Sequence, residues 1–499
     1  MNYIEAIKKE DILKTTLTEN GDTAFASSGS FNLDFFGLSG GMRHNYRDLN
    51  SLFLRSYYED RLTTLKIMLY LRDILNGMGE RNSFRLTFNT LANLDPNLAR
   101  QLLPLIPKYG RWDDILSGLN TPIEKDVLNL IEVTLDEDLV KHNNNEEISL
   151  LSKWLPSINT SNKQTRVNAK KIAKALGYSN EEYRKTLSKL RKGRVLETYL
   201  SSKQYTFNYE NVPSQAMLKY VEAFVKRDEE RFKKYLDDVE NKSKKINTKT
   251  IATHQIYTSS LIMKVDPLND VMDQLEQVKK QVNNMVWENL GQIDLKTKAI
   301  VVRDGSSSML WGFDGPLPME VATSLAVYIA EQLPEPFKNH FITFSERPQL
   351  IKIEGETIDE KFGYVQTFDE VANTNISRVY QLLLDVAVKN NVKQENMVEQ
   401  VIIISDMQFD ECVEGEATFH TFKKKFEKAG LIMPELVFWN VAARSIQTPV
   451  TINDKGVKLV SGYSQKILEM VVKNNLKDGP LDFMRLVLEK YSEVDDFII

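Results

Sequence analysis

AIVVRDGSSSM, Ala299–Met309, is the stretch on which the fold of this chain turns. Its opening is apolar and β-branched, the composition of a strand covered on both faces, and it runs without a break into Asp-Gly-Ser-Ser-Ser. A loop of oxygen-bearing side chains at the end of such a strand lies where open parallel sheets bind their ligands, just beyond the carboxyl ends of the strands.

Reading outward from this stretch, strand and helix patterns alternate to the end of the chain. Lys298–Arg303, Asn339–Phe344, Gln349–Ile353, Glu399–Ser405, Glu435–Val441 and Val457–Ser461 read as strands. Pro318–Gln332, Ser377–Val388 and Thr418–Lys428 read as helices between them, and further helices start at Ser464 and Pro480. Strands separated by helices of ten or more residues predict a mostly parallel, doubly wound sheet.

Two more polar clusters fall at element ends in this half. Asn373-Thr374-Asn375 opens the helix near Ser377, and Ser405-Asp406 terminates QVIII. Asp304, Ser306, Ser308, Thr374 and Asp406 together offer two carboxylates and three hydroxyls, an all-oxygen set suited to a hard cation such as Mg²⁺ or Mn²⁺. With so few carboxylates a coordination position stays open for an acidic side chain or a phosphate. The D-x-S-x-S spacing alone is a weak signal, because an Asp-Gly-Ser turn also caps its own backbone. The order of the three clusters at successive element ends is what favours a metal.

The first half has a different pattern. Leu62–Leu75, Ser83–Leu91, Pro122–Leu135, Thr165–Leu176, Asn180–Leu190, Ser214–Phe224 and Asp228–Val239 place apolar residues three and four apart, between short Gly, Pro or Asn turns. No strand alternation persists, so an all-helical, HEAT-like array is expected. An amphipathic segment from Pro267 to Met285 links or braces the two halves. The expected division is therefore 1–265 helical, 266–294 linker and 295–499 α/β, consistent with 499 residues exceeding one ordinary core.

Composition narrows the function. With 42% apolar and 27% charged residues the chain is an ordinary globular protein. One cysteine, Cys412, allows no internal disulfide, and five scattered histidines make no zinc spacing, so a reducing, cytoplasmic setting is expected. No signal-peptide core or membrane span is evident. The net charge is −5, yet residues 161–204 hold 12 Lys/Arg against Glu181, Glu182 and Glu197. Lys163, Arg166, Lys170, Lys171, Lys174, Arg184, Lys185, Lys189, Arg191, Lys192 and Arg194 thus form a candidate phosphate-binding surface, although a charged helix face can simply be solvated. Tyr178, Tyr183 and Tyr199 lie among these bases as stacking or packing residues.

Several phrases carry a resemblance. LNGMGERNSFR (Leu75–Arg85), PKYGRWDDIL (Pro107–Leu116), SKWLPS (Ser152–Ser157), YRKTLSKLRK (Tyr183–Lys192), NVPSQAM (Asn211–Met217), SDMQFD (Ser405–Asp410) and LVSGYS (Leu459–Ser464) resemble phage and bacterial relatives of the Ro autoantigen. In that family a TROVE-like helical-repeat module precedes a von Willebrand factor A domain with a metal-ion-dependent adhesion site, and DGSSSM, TN and SD match that site's three segments. The resemblance implies a monomeric ribonucleoprotein scaffold that binds small or misfolded non-coding RNA, with an acidic protein partner at the metal. Arg303 departs from the pattern, since an apolar residue usually precedes the Asp; its charge would compete with the metal or anchor an anion.

Two alternatives remain open to the sequence: a metal-dependent protein–protein adaptor or phage structural component without RNA, and a metal-assisted hydrolase. The hydrolase is disfavoured. No Ser/His/Asp order or cysteine nucleophile meets the strand-end clusters, His340 begins a buried strand, and acids flank Cys412. A binding protein rather than an enzyme is expected.

Overall fold

A short antiparallel hairpin, β1 (Thr15–Leu17) and β2 (Thr23–Phe25), is the first element of the computed structural model, which describes residues 15–18, 23–261, 270–312, 315–345, 347–369, 375–408, 418–473 and 479–498. Too short to show alternation, it lies in the half expected to be all helical. Phe25 exchanges backbone bonds of 2.9 and 3.0 Å with Thr448, which satisfies an otherwise open edge. The helical reading of residues 1–14 lies outside the described residues.

The chain divides into two compact units, the first built from residues 1–83 and 248–492 and the second from 84–247 and 493–499. This differs from the linear division at residue 265, and the reason lies in α1 (Phe31–Leu38). Leu33, Phe35, Phe36 and Leu38 are all buried, so the helix is apolar around most of its circumference and has no solvated face. Burying four such side chains stabilises by about 1.5–3 kcal/mol each, and a helix of that kind belongs inside a core. Ser30 caps it and α2 (Tyr46–Glu59) and α3 (Arg61–Arg72), capped by Asn45 and Asp60, pack on it.

The sheet of the first unit has the order β5-β4-β3-β6-β7-β8. At its centre β3 (Ala299–Asp304) pairs in parallel with β4 (His340–Phe344) and β6 (Gln400–Ser405). β7 (Glu435–Asn440) and β8 (Val457–Ser461) continue in parallel, and only β5 (Leu350–Lys352) runs antiparallel at the edge. Every residue of β3 and β6 is buried, which is why both read as continuous apolar runs. α1 packs against β8, with the Gly37 backbone so near Leu459 that a Cβ would approach within 3.1 Å.

The second unit is helical. It holds most of α4 (Arg81–Leu94), then α5 (Pro96–Leu102), α6 (Glu124–Asn143), α7 (Lys163–Ala175), α8 (Asn180–Arg191), α9 (Ser214–Arg227) and α10 (Glu229–Glu240). All the helical segments expected before residue 240 are helices. An aromatic cluster of Phe207, Tyr209, Phe224, Phe232 and Tyr235 joins α9 to α10, with ring centroids 5.1–5.9 Å apart. The chain returns here at its end, where Glu493 bonds Lys108 and Tyr109.

The first unit is completed by α11 (Thr253–Leu261), α12 (Asp270–Glu288), α13 (Pro318–Gln332), α14 (Ile358–Gln366), α15 (Ile376–Lys389), α16 (Thr418–Lys428) and α17 (Pro480–Leu488). The segment read as a linking or bracing helix contains α12, which packs on α11 and α14 as part of this unit. Among the described residues no helix is long and apolar enough to cross a membrane.

Candidate functional site

Strand register determines which side chains meet at the carboxyl edge of the sheet. β3 ends at Asp304 and β6 ends at Ser405, and neighbouring registers bring them side by side. Asp304 is fully buried; one carboxylate oxygen accepts the Ser306 backbone N–H at 2.9 Å and the other accepts the Ser405 hydroxyl at 2.6 Å. The first bond turns the loop sharply, so that Ser306 and Ser308 face one another with hydroxyls 2.9 Å apart.

Asp406 follows β6 directly and is also buried, its carboxylate accepting the Gln408 backbone N–H at 3.3 Å across a turn that needs a positive φ of 63° at Met407. Burial raises the Asp304 carboxyl above its ordinary value, and the charge of Asp406 raises it further. Two carboxylates drawn out of water beside one another are costly unless a cation joins them. The donor set, two carboxylates and two hydroxyls, fits a small hard divalent ion and offers nothing to a soft one. Among the described residues no three His, Cys, Asp or Glu side chains gather as a metal cage, so hydroxyls would have to complete the shell.

Four of the five metal residues read from the sequence are thus at one edge of the sheet. Thr374 lies outside the described residues, as does Cys412. The concern about Arg303 is resolved by the pleat, which sends adjacent residues to opposite faces. Arg303 is 1% exposed and turns away from the carboxylates; it donates to Thr323 Oγ1 at 3.1 Å and pairs with Asp369. Its charge is therefore already partnered, in a buried position.

One cation at the site was not anticipated. Arg444, in the loop after β7, places a guanidinium nitrogen 3.5 Å from the Asp406 carboxylate and donates to the Ser308 carbonyl. The loop is anchored from below: Val441 N–H donates to Ser405 at 3.0 Å, Ala443 N–H donates to Gly41 at 3.0 Å, and Asn45 donates to the Arg444 carbonyl at 2.8 Å. Arg43 donates to the Val441 carbonyl at 2.8 Å and is itself paired with Glu80 at 2.7 Å, both side chains being buried. Burial outweighs the Arg43 charge and keeps the Glu80 carboxyl above its ordinary value. The only sequence sign of Arg444 was its place four residues beyond the end of a strand.

The basic residues of the second unit separate into two groups. Lys163, Arg166, Lys170 and Lys174 are exposed along one side of α7, and Arg184, Lys185, Lys189, Lys192 and Arg194 are exposed on and just after α8. Lys171 and Arg191 are structural. Lys171 is bound to Glu124 at 2.8 Å, and Arg191 donates to the carbonyls of Ser152 and Leu155, both at 2.7 Å, and to the Ser157 hydroxyl at 2.8 Å. Tyr183 is buried with its hydroxyl on the Pro156 carbonyl, and Tyr199 bonds the Gly193 carbonyl, so both are packing residues.

Comparison with known proteins adds relatives to this geometry. Residues 18–145 and 134–298 match the family described as "Domain of unknown function (DUF2828)", and residues 298–492 match "Domain of unknown function (DUF7788)". The uncharacterized protein L728 of Acanthamoeba polyphaga mimivirus is 31% identical over 519 residues, spanning 95% of this chain and 87% of the relative. The crystal structure of the Deinococcus radiodurans Ro (RSR) protein covers 89% of this chain and 93% of its own, at 12% identity and a TM-score of 0.40, too loose a likeness to carry an inference about function. With its profile spread over more than half of the sequence and a relative alike along nearly the whole length, this chain belongs to the DUF2828 family.

Proposed function

We propose that this chain is a non-catalytic RNA-binding scaffold of the Ro kind, in which a TROVE-like helical module takes RNA and a von Willebrand A-type sheet unit holds Mg²⁺ or Mn²⁺. Asp304, Ser306, Ser308 and Asp406, with Thr374, are the residues that would hold the ion. The ion would supply an open coordination position to an acidic side chain or phosphate of a partner. The observation that carries the reading is the hydrogen-bonded cluster of Asp304, Ser306 and Ser308 at the carboxyl edge of the sheet, with buried Asp406 directly after Ser405, whose hydroxyl holds Asp304.

A binding role is favoured over hydrolysis by what stands near the cluster. Ser306 and Ser308 bond one another, and His340 begins β4, four residues from the strand end that lies beside Asp304, roughly 13 Å away at the rise of a strand. RNA is favoured as the second ligand by the exposed cations of α7 and α8, which lie on two successive helices and face solvent.

The test is purification of the full chain from cells with and without nuclease, followed by sequencing of the RNA retained. Enrichment of particular non-coding RNAs supports the scaffold. Recovery of no RNA above background, together with a protein released by EDTA, would replace it with a metal-dependent adaptor.

A further inference from the structure

The metal reading leaves Arg444 unexplained, and its position is the one a metal would contest. A guanidinium 3.5 Å from a fully buried carboxylate is a charge partner for Asp406, and its bond to the Ser308 carbonyl closes the loop over the same point. A cation entering between Asp304, Ser306, Ser308 and Asp406 would meet that positive charge at short range. The two cannot both be neutralised by Asp406 at no cost. Arg444 is also not enclosed: its side chain is 29% exposed, while the Asp406 side chain is 0% exposed, so the guanidinium has a route outward and the carboxylate has none.

Resting on the metal reading of the cluster, we propose that Arg444 is a tethered cation that exchanges with the divalent ion. Without metal it neutralises Asp406 and pins the Asp304–Ser308 loop. Metal displaces it towards solvent, where it lies beside the open coordination position and becomes a second contact for the incoming oxyanion. A guanidinium is suited to this, since its planar donors match carboxylate and phosphate in pairs and it stays charged throughout. The backbone on which it moves is fixed by Gly41, Asn45 and Arg43, so the exchange is one of the side chain.

The test uses the full chain with Arg444→Gln and Arg444→Lys, titrated with Mn²⁺ by calorimetry and by paramagnetic resonance. Arg444→Gln should tighten Mn²⁺ at least about tenfold, because the competing charge is gone, while Arg444→Lys should stay near the parent. On the Mn²⁺-loaded protein, inorganic phosphate should bind at least about tenfold more weakly to Arg444→Gln than to the parent. A separate cycle in EDTA checks that the protein is folded and that the pair exists. Arg444→Gln should lower the melting temperature, and adding Asp406→Asn should recover part of the loss.

Equal or weaker Mn²⁺ affinity in Arg444→Gln overturns the exchange and leaves the metal reading in place. Unchanged phosphate affinity overturns the second contact. Absence of Mn²⁺ binding in every chain removes the metal reading and the exchange with it.

Discussion

Raising the salt concentration fourfold, from about 50 to about 200 mM, should weaken RNA binding to this chain by about 100- to 500-fold. The figure comes from the second unit. Lys163, Lys170 and Lys174 on α7, and Arg184 and Lys192 on or beside α8, are exposed and hold no side-chain hydrogen bond or ion pair among the described residues. Five cations free to meet phosphates imply a slope of log affinity against log salt of about −3.5 for single strands and about −4.5 for duplex. Replacing Lys170 and Lys174 by alanine should reduce that slope by about 1.4–1.8 with the fold kept, since both are exposed on α7 and hold no hydrogen bond or ion pair among the described residues. The assay is fluorescence anisotropy with a labelled RNA recovered from the purified protein, repeated across the salt series for parent and variant. A parent slope shallower than about −2, or a slope the double variant leaves unchanged, would refute the assignment of this face.

Three further outcomes are expected. Glu80→Gln strands Arg43 in a buried site and should cost about 3–5 kcal/mol, read as a lower urea midpoint; a change under about 1 kcal/mol would mean that the pair contributes little to the support of the Arg444 loop. In EDTA the folded chain holds a proton on Asp304 that the unfolded chain has already released, so stability should rise as pH falls from the raised value towards the ordinary carboxylate range and be lost as pH climbs. Melting curves between about pH 5 and pH 8 should show this in the parent and not in Asp304→Asn, and saturating Mn²⁺ should reverse it. Arg191→Ala, which removes three bonds to the 152–157 segment, should destabilise the second unit by about 2–4 kcal/mol while leaving the salt slope of RNA binding as it was; a shallower slope would return Arg191 to the RNA face.

The sheet was legible because its central strands are buried on both faces, so residues such as Val301, Val302 and Ile402–Ile404 leave an unbroken apolar signal. Three-and-four spacing marked the helices of the second unit equally well. What escaped was whatever depends on contacts distant in sequence. α1 reads as a plain apolar segment, and nothing local says that it packs on Leu459. β1 and β2 are three residues each, too short for a period to be seen. At the site, Asp304, Ser306, Ser308 and Asp406 were readable from their places at strand ends. Arg444 was not, because its approach to Asp406 is set by a loop held on Gly41 and Arg43, hundreds of residues earlier. Likewise Arg303 looked like an intruder until the pleat and Asp369 gave it a place on the other face.

The interrupted build of the first unit governs the order in which a ribosome can finish the protein. Residues up to Ser83 emerge early with an apolar helix whose resting place, β8, is the last strand to be made. The inserted helices are complete long before then and can collapse on local contacts alone, whereas the side of α1 that α2 and α3 do not cover must wait for most of synthesis before β8 meets it. A shortened gene beginning at residue 295 would lack that segment for good and would yield a sheet with a bare flank, prone to clump.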